Sequence, residues 1–84
     1  MHTYKQGDLV WVTIHRQLSP KIWRYAEEHK ITFTPGVIVS SMVGGSTLEF
    51  LLVRFLDLTI AERAEGHAPG VNSVDTANLR LRIN

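Results

Sequence analysis

The strongest structural signal in the chain is a run of large apolar side chains at residues 48–56 (LEFLLVRFL). A run rich in branched and aromatic residues favours a β-strand, in which successive side chains point to opposite faces of the sheet. One face would carry Leu51, Val53 and Phe55, and the other would carry Phe50, Leu52, Arg54 and Leu56. Because both faces are largely apolar, this strand needs cover on two sides, which constrains every fold that the chain can adopt.

Four further segments have the composition of strands: residues 9–15, 37–43, 71–74 and 79–83. The first alternates in the same way, with Val10, Val12 and Ile14 on one face. Pro35 suits the entrance of the second because proline has no N–H to donate to a ladder. Gly44-Gly45-Ser46 predicts a hairpin turn between the second and third strands.

Two helices are predicted in the connections between these strands. Ser19 followed by Pro20 is typical of a helix start, and the helix would cover residues 19–29. Thr59 and Glu62 have the spacing of a capping box, which predicts a short helix over residues 60–65 that ends at Gly66. Residues 75–78 would add a single helical turn before the last strand.

This order of elements predicts a mainly β fold, a five-stranded barrel of the Src-homology-3-like (SH3-like) kind. The helix at residues 19–29 would be an insertion between strands 1 and 2. The 84 residues would form a single domain, residues 1–84. A domain of this size buries only roughly 60–65% of the surface that its unfolded chain exposes, so its stability is marginal.

Composition excludes several classes of protein. The chain has no cysteine, which rules out disulfides and cysteine-based zinc sites. Nine Lys and Arg against eight Asp and Glu give a net charge of +1, without the basic excess typical of nucleic-acid binders. No apolar run approaches the ~20 residues that cross a bilayer. We therefore expect no membrane partner and a cytoplasmic location.

The opening Gly7-Asp8-Leu9-Val10-Trp11-Val12 resembles the start of PWWP and Tudor-like reader domains. The likeness continues at residues 35–39 (PGVIV) and 53–57 (VRFLD). It implies the small barrel fold. Readers of this type hold a methylated ammonium in a cage of aromatic rings, and the nearest candidates here are Tyr4, Phe33 and Phe55.

Two shorter resemblances point to other functions. Residues 7–12 with residues 18–23 (LSPKIW) look like the C-terminal domain of retroviral-type integrases, which contacts DNA. Residues 67–74 (HAPGVNSV) and the ending LRIN are similar to plasmid-borne, trimethoprim-insensitive dihydrofolate reductases, which are tetramers of this barrel with a shared pore. Their active-site Val-Gln-Ile-Tyr strand corresponds to Val71-Asn72-Ser73-Val74, so no active-site residue carries over.

The sequence holds no catalytic motif. Its four histidines show no metal-binding spacing, Gly44-Gly45 opens no phosphate loop, and the serines lack a nucleophile elbow. We therefore expect a protein that is not an enzyme and binds no cofactor or metal.

Two surfaces are candidates for binding a partner. The interior would hold one face of strand 1 (Val10, Val12 and Ile14) and one face of strand 3 (Leu51, Val53 and Phe55). The opposite face of each strand is also apolar, and the inserted helix or a partner must cover it. The predicted partner-binding residues are Leu9, Trp11, Trp23, Phe50, Leu52 and Leu56. Burying a few of these at ~25 cal/mol per Å2 would contribute several kcal/mol, so a homo-oligomer or a protein partner is the favoured hypothesis.

The alternative surface is basic. Arg54, Arg80 and Arg82 would lie on neighbouring strands, and Lys21 and Arg24 of the inserted helix would add to them. This pattern predicts a module associated with nucleic acid, whereas arginine on an edge strand also serves to prevent edge pairing.

Overall fold

The computed structural model describes residues 4–40, 50–66 and 68–82. The strands are β1 (Leu9–Thr13), β2 (Phe33–Ser40), β3 (Phe50–Phe55), β4 (Val71–Asp75) and β5 (Leu79–Leu81). Helix α1 (Pro20–Glu28) lies between β1 and β2, and helix α2 (Leu58–Arg63) lies between β3 and β4. A 3-10 turn (Thr76–Asn78) joins β4 to β5. The predicted mainly β class, with five strands and an inserted helix, is confirmed.

The five strands form one antiparallel sheet in the order β4-β3-β2-β1-β5. Within the described residues β4 and β5 do not pair with each other, so the sheet is not closed into the barrel that the sequence predicts. A single hydrophobic cluster nevertheless includes Val74 of β4 and Leu79 of β5, the two outermost strands. The sheet therefore curves around one core.

The side chains that point to the interior side of the sheet are those that the alternation of the sequence predicts. Val10 and Val12 of β1 and the odd positions of β3 are buried in this core, and Ile14 packs against it. Gly36 is needed where β2 crosses between these strands, because a Cβ there would lie 2.6 Å from Val53 Cγ1. Such a contact is shorter than any packed core tolerates.

Helix α1 covers the interior side of the sheet. Its start is as predicted: the Ser19 side chain caps the helix by accepting a hydrogen bond from the Lys21 N–H at 3.3 Å. Ile22 belongs to the central cluster together with Leu18, and Ala26 is also fully buried. The helix thus completes the core and does not lie over the outer face near Trp11.

Several element bounds differ from the sequence predictions. Strand β1 ends at Thr13, and β2 begins at Phe33, four residues before the predicted start. Pro35 lies inside β2, and its carbonyl accepts a hydrogen bond from the Leu56 N–H at 3.0 Å, at the far end of the β2–β3 ladder. The N–H that proline lacks would belong to this last step of the ladder, so its absence costs little. The predicted turn at residues 44–46 lies outside the described residues.

Helix α2 begins two residues earlier than the capping box at Thr59 predicts. Asp57 is its N-cap, and the Asp57 carboxylate accepts from the Thr59 N–H at 2.9 Å. Ala64, rather than Gly66, is the C-cap. The preceding strand ends at Phe55, so Asp57 is the first side chain able to cap, and the helix starts there.

In the part of the chain that the structure describes, no helix combines the length and the apolar character that crossing a bilayer requires.

Candidate binding surface on the outer face of the sheet

The candidate site is built on the side of the sheet that points away from the core, here called the outer face. Trp11 is the middle residue of β1 and lies opposite Pro35 on β2 and opposite Arg80 on β5. Two residues earlier on β1, Leu9 lies opposite Val37, which in turn lies opposite Arg54 on β3. Side chains directly opposite one another share a face, so these residues form one continuous surface.

Two aromatic rings and an arginine form a compact cluster on this face. The rings of Trp11 and Phe33 meet edge to face, with centroids 5.2 Å apart and planes at 74°. The guanidinium of Arg82 lies 4.7 Å from the centre of the Trp11 ring, within the range of a cation–π contact. Phe33 remains 54% exposed, so the cluster is open to a partner.

A cleft of about 370 Å3 lies beside this cluster, lined by Trp11, Thr13, Thr32, Phe33 and Arg80. Its volume falls within the roughly 300–1,000 Å3 of typical ligand pockets. Two aromatic walls, two hydroxyls and one guanidinium therefore converge on a space large enough for a flat ring.

The outer face also carries positive charge. Arg80 lies on β5, and Arg82 follows directly after the end of that strand, where its N–H donates to the Leu9 carbonyl. In an extended backbone the Cα atoms of residues two apart are about 7 Å from each other and their side chains lie on the same side. The ion pairs of the described residues join Arg16 to Glu27 and Lys21 to Glu65, so Arg54, Arg80 and Arg82 take part in none of them. From β5 across to β3, the described outer-face positions hold no carboxylate.

The predicted apolar residues are spread along the sheet and do not form a single patch. Phe50 and Leu56 are 37% and 41% exposed, but they stand at opposite ends of β3, about 20 Å apart along the strand. Leu52 is half-buried between them, and Leu9 is exposed next to Trp11. Leu9 and Trp11 lie on β1, between the strands that carry Phe33 and Arg80, whereas Phe50 and Leu52 lie on β3, the strand that carries Arg54.

The predicted residues of α1 lie elsewhere. Trp23 is half-buried, with the guanidinium of Arg16 4.1 Å and that of Arg24 5.2 Å from its ring centre. The Nζ atom of Lys21 lies 3.0 Å from a carboxylate oxygen of Glu65. Lys21 and Arg24 do not line the cleft, because α1 packs on the interior side of the sheet, whereas Trp23 lines a neighbouring depression that shares Thr13 and Thr32 with the cleft.

The aromatic cage suggested by the reader-domain resemblance does not form. Phe55 is buried in the core. Tyr4 is also buried, and its hydroxyl donates a hydrogen bond to the Leu79 carbonyl at 3.0 Å. Burial raises the pKa of the Tyr4 phenol above its ordinary value. Of the three predicted rings, only Phe33 reaches the surface.

The described histidines make local contacts with the backbone. His15 Nδ1 lies 2.8 Å from the Thr13 carbonyl oxygen, and His29 Nδ1 lies 2.9 Å from the Tyr25 carbonyl oxygen. Among the residues with described positions, no three His, Cys, Asp or Glu side chains converge in a way that would hold a metal ion.

Sequence reasoning named Phe33 only as a candidate ring of an aromatic cage and did not place Thr32 in any site, because it assigned both residues to the approach to β2. The alternation of side chains along a strand could have placed Phe33. If β2 is extended back through Pro35, then Phe33, Pro35 and Val37 point to the same face, and Phe33 lies beside Thr13 and Trp11.

Comparison with known proteins finds no matching protein family, no similar curated protein and no similar solved structure.

Proposed function

We propose that this chain is a non-enzymatic binding module of the SH3-like small-barrel type, and that its outer face binds an anionic chain. The sheet order β4-β3-β2-β1-β5, with a 3-10 turn between the last two strands, supports the assignment to this type. The predicted arrangement of strand, insertion, hairpin and final helical turn agrees with it. Such small barrels serve many functions, so the choice of partner depends on the surface and not on the fold.

One observation carries this proposal. Arg54, Arg80 and Arg82 share a face whose described positions between β5 and β3 hold no carboxylate, and Glu62 of α2 lines a depression with Arg54 at the edge of that face. Two copies of this face related by a two-fold axis would oppose arginine to arginine, which disfavours self-association there. A partner that brings negative charge is complementary to the same surface.

Binding to model polyanions tests the proposal. The wild-type chain should bind heparin and polyglutamate at low salt and release both as the salt concentration rises, because the contacts are screened and counterions return to the polyanion. The double variant Arg80→Gln/Arg82→Gln should bind much more weakly. Arg24→Gln, which removes one exposed cation from α1, is the matched control and should bind like wild type. Failure of heparin, polyglutamate and single-stranded DNA alike to bind at low salt would refute the proposal.

Self-assembly is a second candidate, and it is favoured by the corner where β3 meets α2. Leu58 is 84% exposed there, next to the exposed Leu56. Arg54, Leu58 and Glu62 line one shallow depression at this corner. Exposed apolar surface and charges of both signs therefore lie together at this corner, a combination that suits contact with a second copy of this chain.

Sedimentation tests this second candidate. A dimer should form at high micromolar concentration, and Leu58→Glu should abolish it. Phe50→Ser, at the opposite end of β3, should leave the dimer intact. A wild-type chain that sediments as a clean monomer at that concentration would remove the candidate.

A further inference from the structure

We infer that the anionic chain bound by the outer face is a single-stranded nucleic acid, whose bases stack in the Trp11–Phe33 cleft while its phosphates meet the arginines. This inference rests on the proposed function and names the chemical class of its partner.

The cleft is suited to a flat, aromatic group. More than half of the Phe33 residue is exposed beside a space of about 370 Å3, and Trp11 forms the adjoining wall at a steep angle. Nucleobases stack on exposed aromatic side chains whatever their sequence, because every base has a π-face. The Thr13 and Thr32 side chains, both exposed, line the same cleft and offer hydroxyls to base or sugar edges.

The arginines lie where the phosphates of a nucleic-acid backbone would pass if its bases occupied the cleft. Arg80 lines the cleft itself, Arg82 follows directly after the end of β5, and Arg54 lies on β3 beyond Leu9 and Val37. Two aromatic rings and two arginines therefore lie together at the cleft, and a third arginine lies two strands away from Trp11 on the same face. A nucleic acid presents bases and phosphates together in a similar way.

Other anionic chains match only part of this surface. An acidic peptide or a sulfated glycan brings charge for the arginines but no flat π-system for Phe33. Carboxylate and sulfate oxygens also gain nothing from a ring face, which carries the negative part of the aromatic quadrupole. The ring of Phe33, 54% exposed and next to Arg80, offers a base a stacking surface that carboxylate and sulfate groups would not use.

A single strand fits this surface better than a duplex does. In a duplex the faces of the bases are stacked on one another and cannot reach Phe33. Readers of duplex DNA insert a helix, an arm or a β-ribbon into a groove. Helix α1 packs instead on the interior side of the sheet through Ile22 and Ala26, so among the described elements no helix projects from the outer face.

The test measures binding of fluorescently labelled oligothymidylate, twelve nucleotides long, by anisotropy at several salt concentrations. With three phosphates engaged, log K should fall against log salt with a slope of about −2, at roughly −0.7 per phosphate. Arg80→Gln should make the slope shallower by about 0.7. Phe33→Leu should weaken binding by roughly 5- to 150-fold, the usual contribution of one stacked base, with the slope unchanged. A loss of affinity with an unchanged salt slope identifies a non-ionic contact of the Phe33 ring, as stacking requires.

Two control variants and a second readout protect the test against misfolding. Arg24→Gln and Leu58→Ala remove an exposed cation and an exposed apolar side chain outside the outer face, and neither should change affinity or slope. In a Trp23→Phe background Trp11 is the sole tryptophan, and its fluorescence should be quenched when the oligonucleotide binds. Circular dichroism confirms that each variant retains its sheet.

The contrary outcomes separate this inference from the proposed function. Binding of heparin or polyglutamate without binding of oligothymidylate would overturn the inference and leave the proposed function standing. Binding of oligothymidylate that is unchanged by Phe33→Leu, or tighter binding of duplex DNA, would also overturn it. Failure of all the polyanions to bind would overturn both.

Discussion

The guanidinium of Arg82 lies 4.7 Å from the centre of the Trp11 ring, although the two residues belong to opposite ends of the chain. The contact follows from the β1–β5 ladder, because the Arg82 N–H donates to the Leu9 carbonyl at 2.9 Å and Trp11 is opposite Arg80. A planar cation covering part of an indole lets this large ring sit half-buried on the outer face, outside the core.

This stacking has a measurable effect on stability. Arg82→Gln should lower the free energy of unfolding by about 0.5–1 kcal/mol, the usual size of an exposed cation–π contact. Arg80→Gln removes an equal charge from the same strand, without a ring contact in the described residues, and should change stability less. Urea denaturation of the two variants checks this, and equal losses would mean that the charge rather than the stacking matters.

The buried hydroxyl of Thr34 predicts a stabilising substitution. Thr34 is fully buried within β2, and among the described residues its Oγ1 atom has no hydrogen-bond partner. Thr34→Val keeps the branched shape and removes the desolvated hydroxyl, so the free energy of unfolding should rise by about 1 kcal/mol. Thr13→Val, at an exposed position on β1, is the matched control and should have little effect. A destabilised Thr34→Val would indicate that this hydroxyl is satisfied in the folded protein.

Tyr4 predicts a loss of stability in alkali. Burial raises the pKa of its phenol above the ordinary value of 10.0, so in the folded protein the proton is retained to higher pH than in the unfolded chain. Above about pH 10 the unfolded state therefore binds fewer protons, and the free energy of unfolding falls as the pH rises towards the folded pKa. Below that range the group's contribution is constant.

The comparison with Tyr4→Phe isolates this effect. The variant loses the hydrogen bond to the Leu79 carbonyl, which should cost about 1 kcal/mol at neutral pH. Its stability should then decline less steeply than that of wild type between pH 9 and pH 11, a range that spans the reference value. Identical slopes by urea denaturation would contradict the role assigned to Tyr4.

Mutation can test whether the N-cap of α2 is Asp57, as the structure has it, or Thr59, as the sequence predicts. Asp57→Ala should lower the free energy of unfolding by about 0.5–2 kcal/mol, because the Thr59 N–H loses its acceptor. Thr59→Ala should stay within about 0.5 kcal/mol of wild type, as is usual for an exposed residue without such a contact. Thermal or urea unfolding separates the two, and a larger loss from Thr59→Ala would restore the cap that the sequence alone predicts.

Local chemistry was enough to predict much of this structure. The inward positions of Val10 and Val53 and the outward positions of Leu9 and Arg54 follow from the period-2 alternation of a strand, which depends only on neighbours in the sequence. The start of α1 at Ser19-Pro20 is equally local, because a cap acts within one helical turn. These features are properties of short stretches, and the sequence alone therefore determined them.

Only the tertiary structure determined which residues of distant segments lie next to one another. Phe33 and Arg80 flank Trp11 because β2 and β5 pair with β1 in one particular register, and that register is set by packing of the whole core across long intervals of chain. The same packing turned Ile22 of α1 towards the interior and left the arginine-rich surface uncovered by any described element. Contacts between distant segments depend on how the strands pair in three dimensions, and a local sequence pattern gives no direct signal of that pairing.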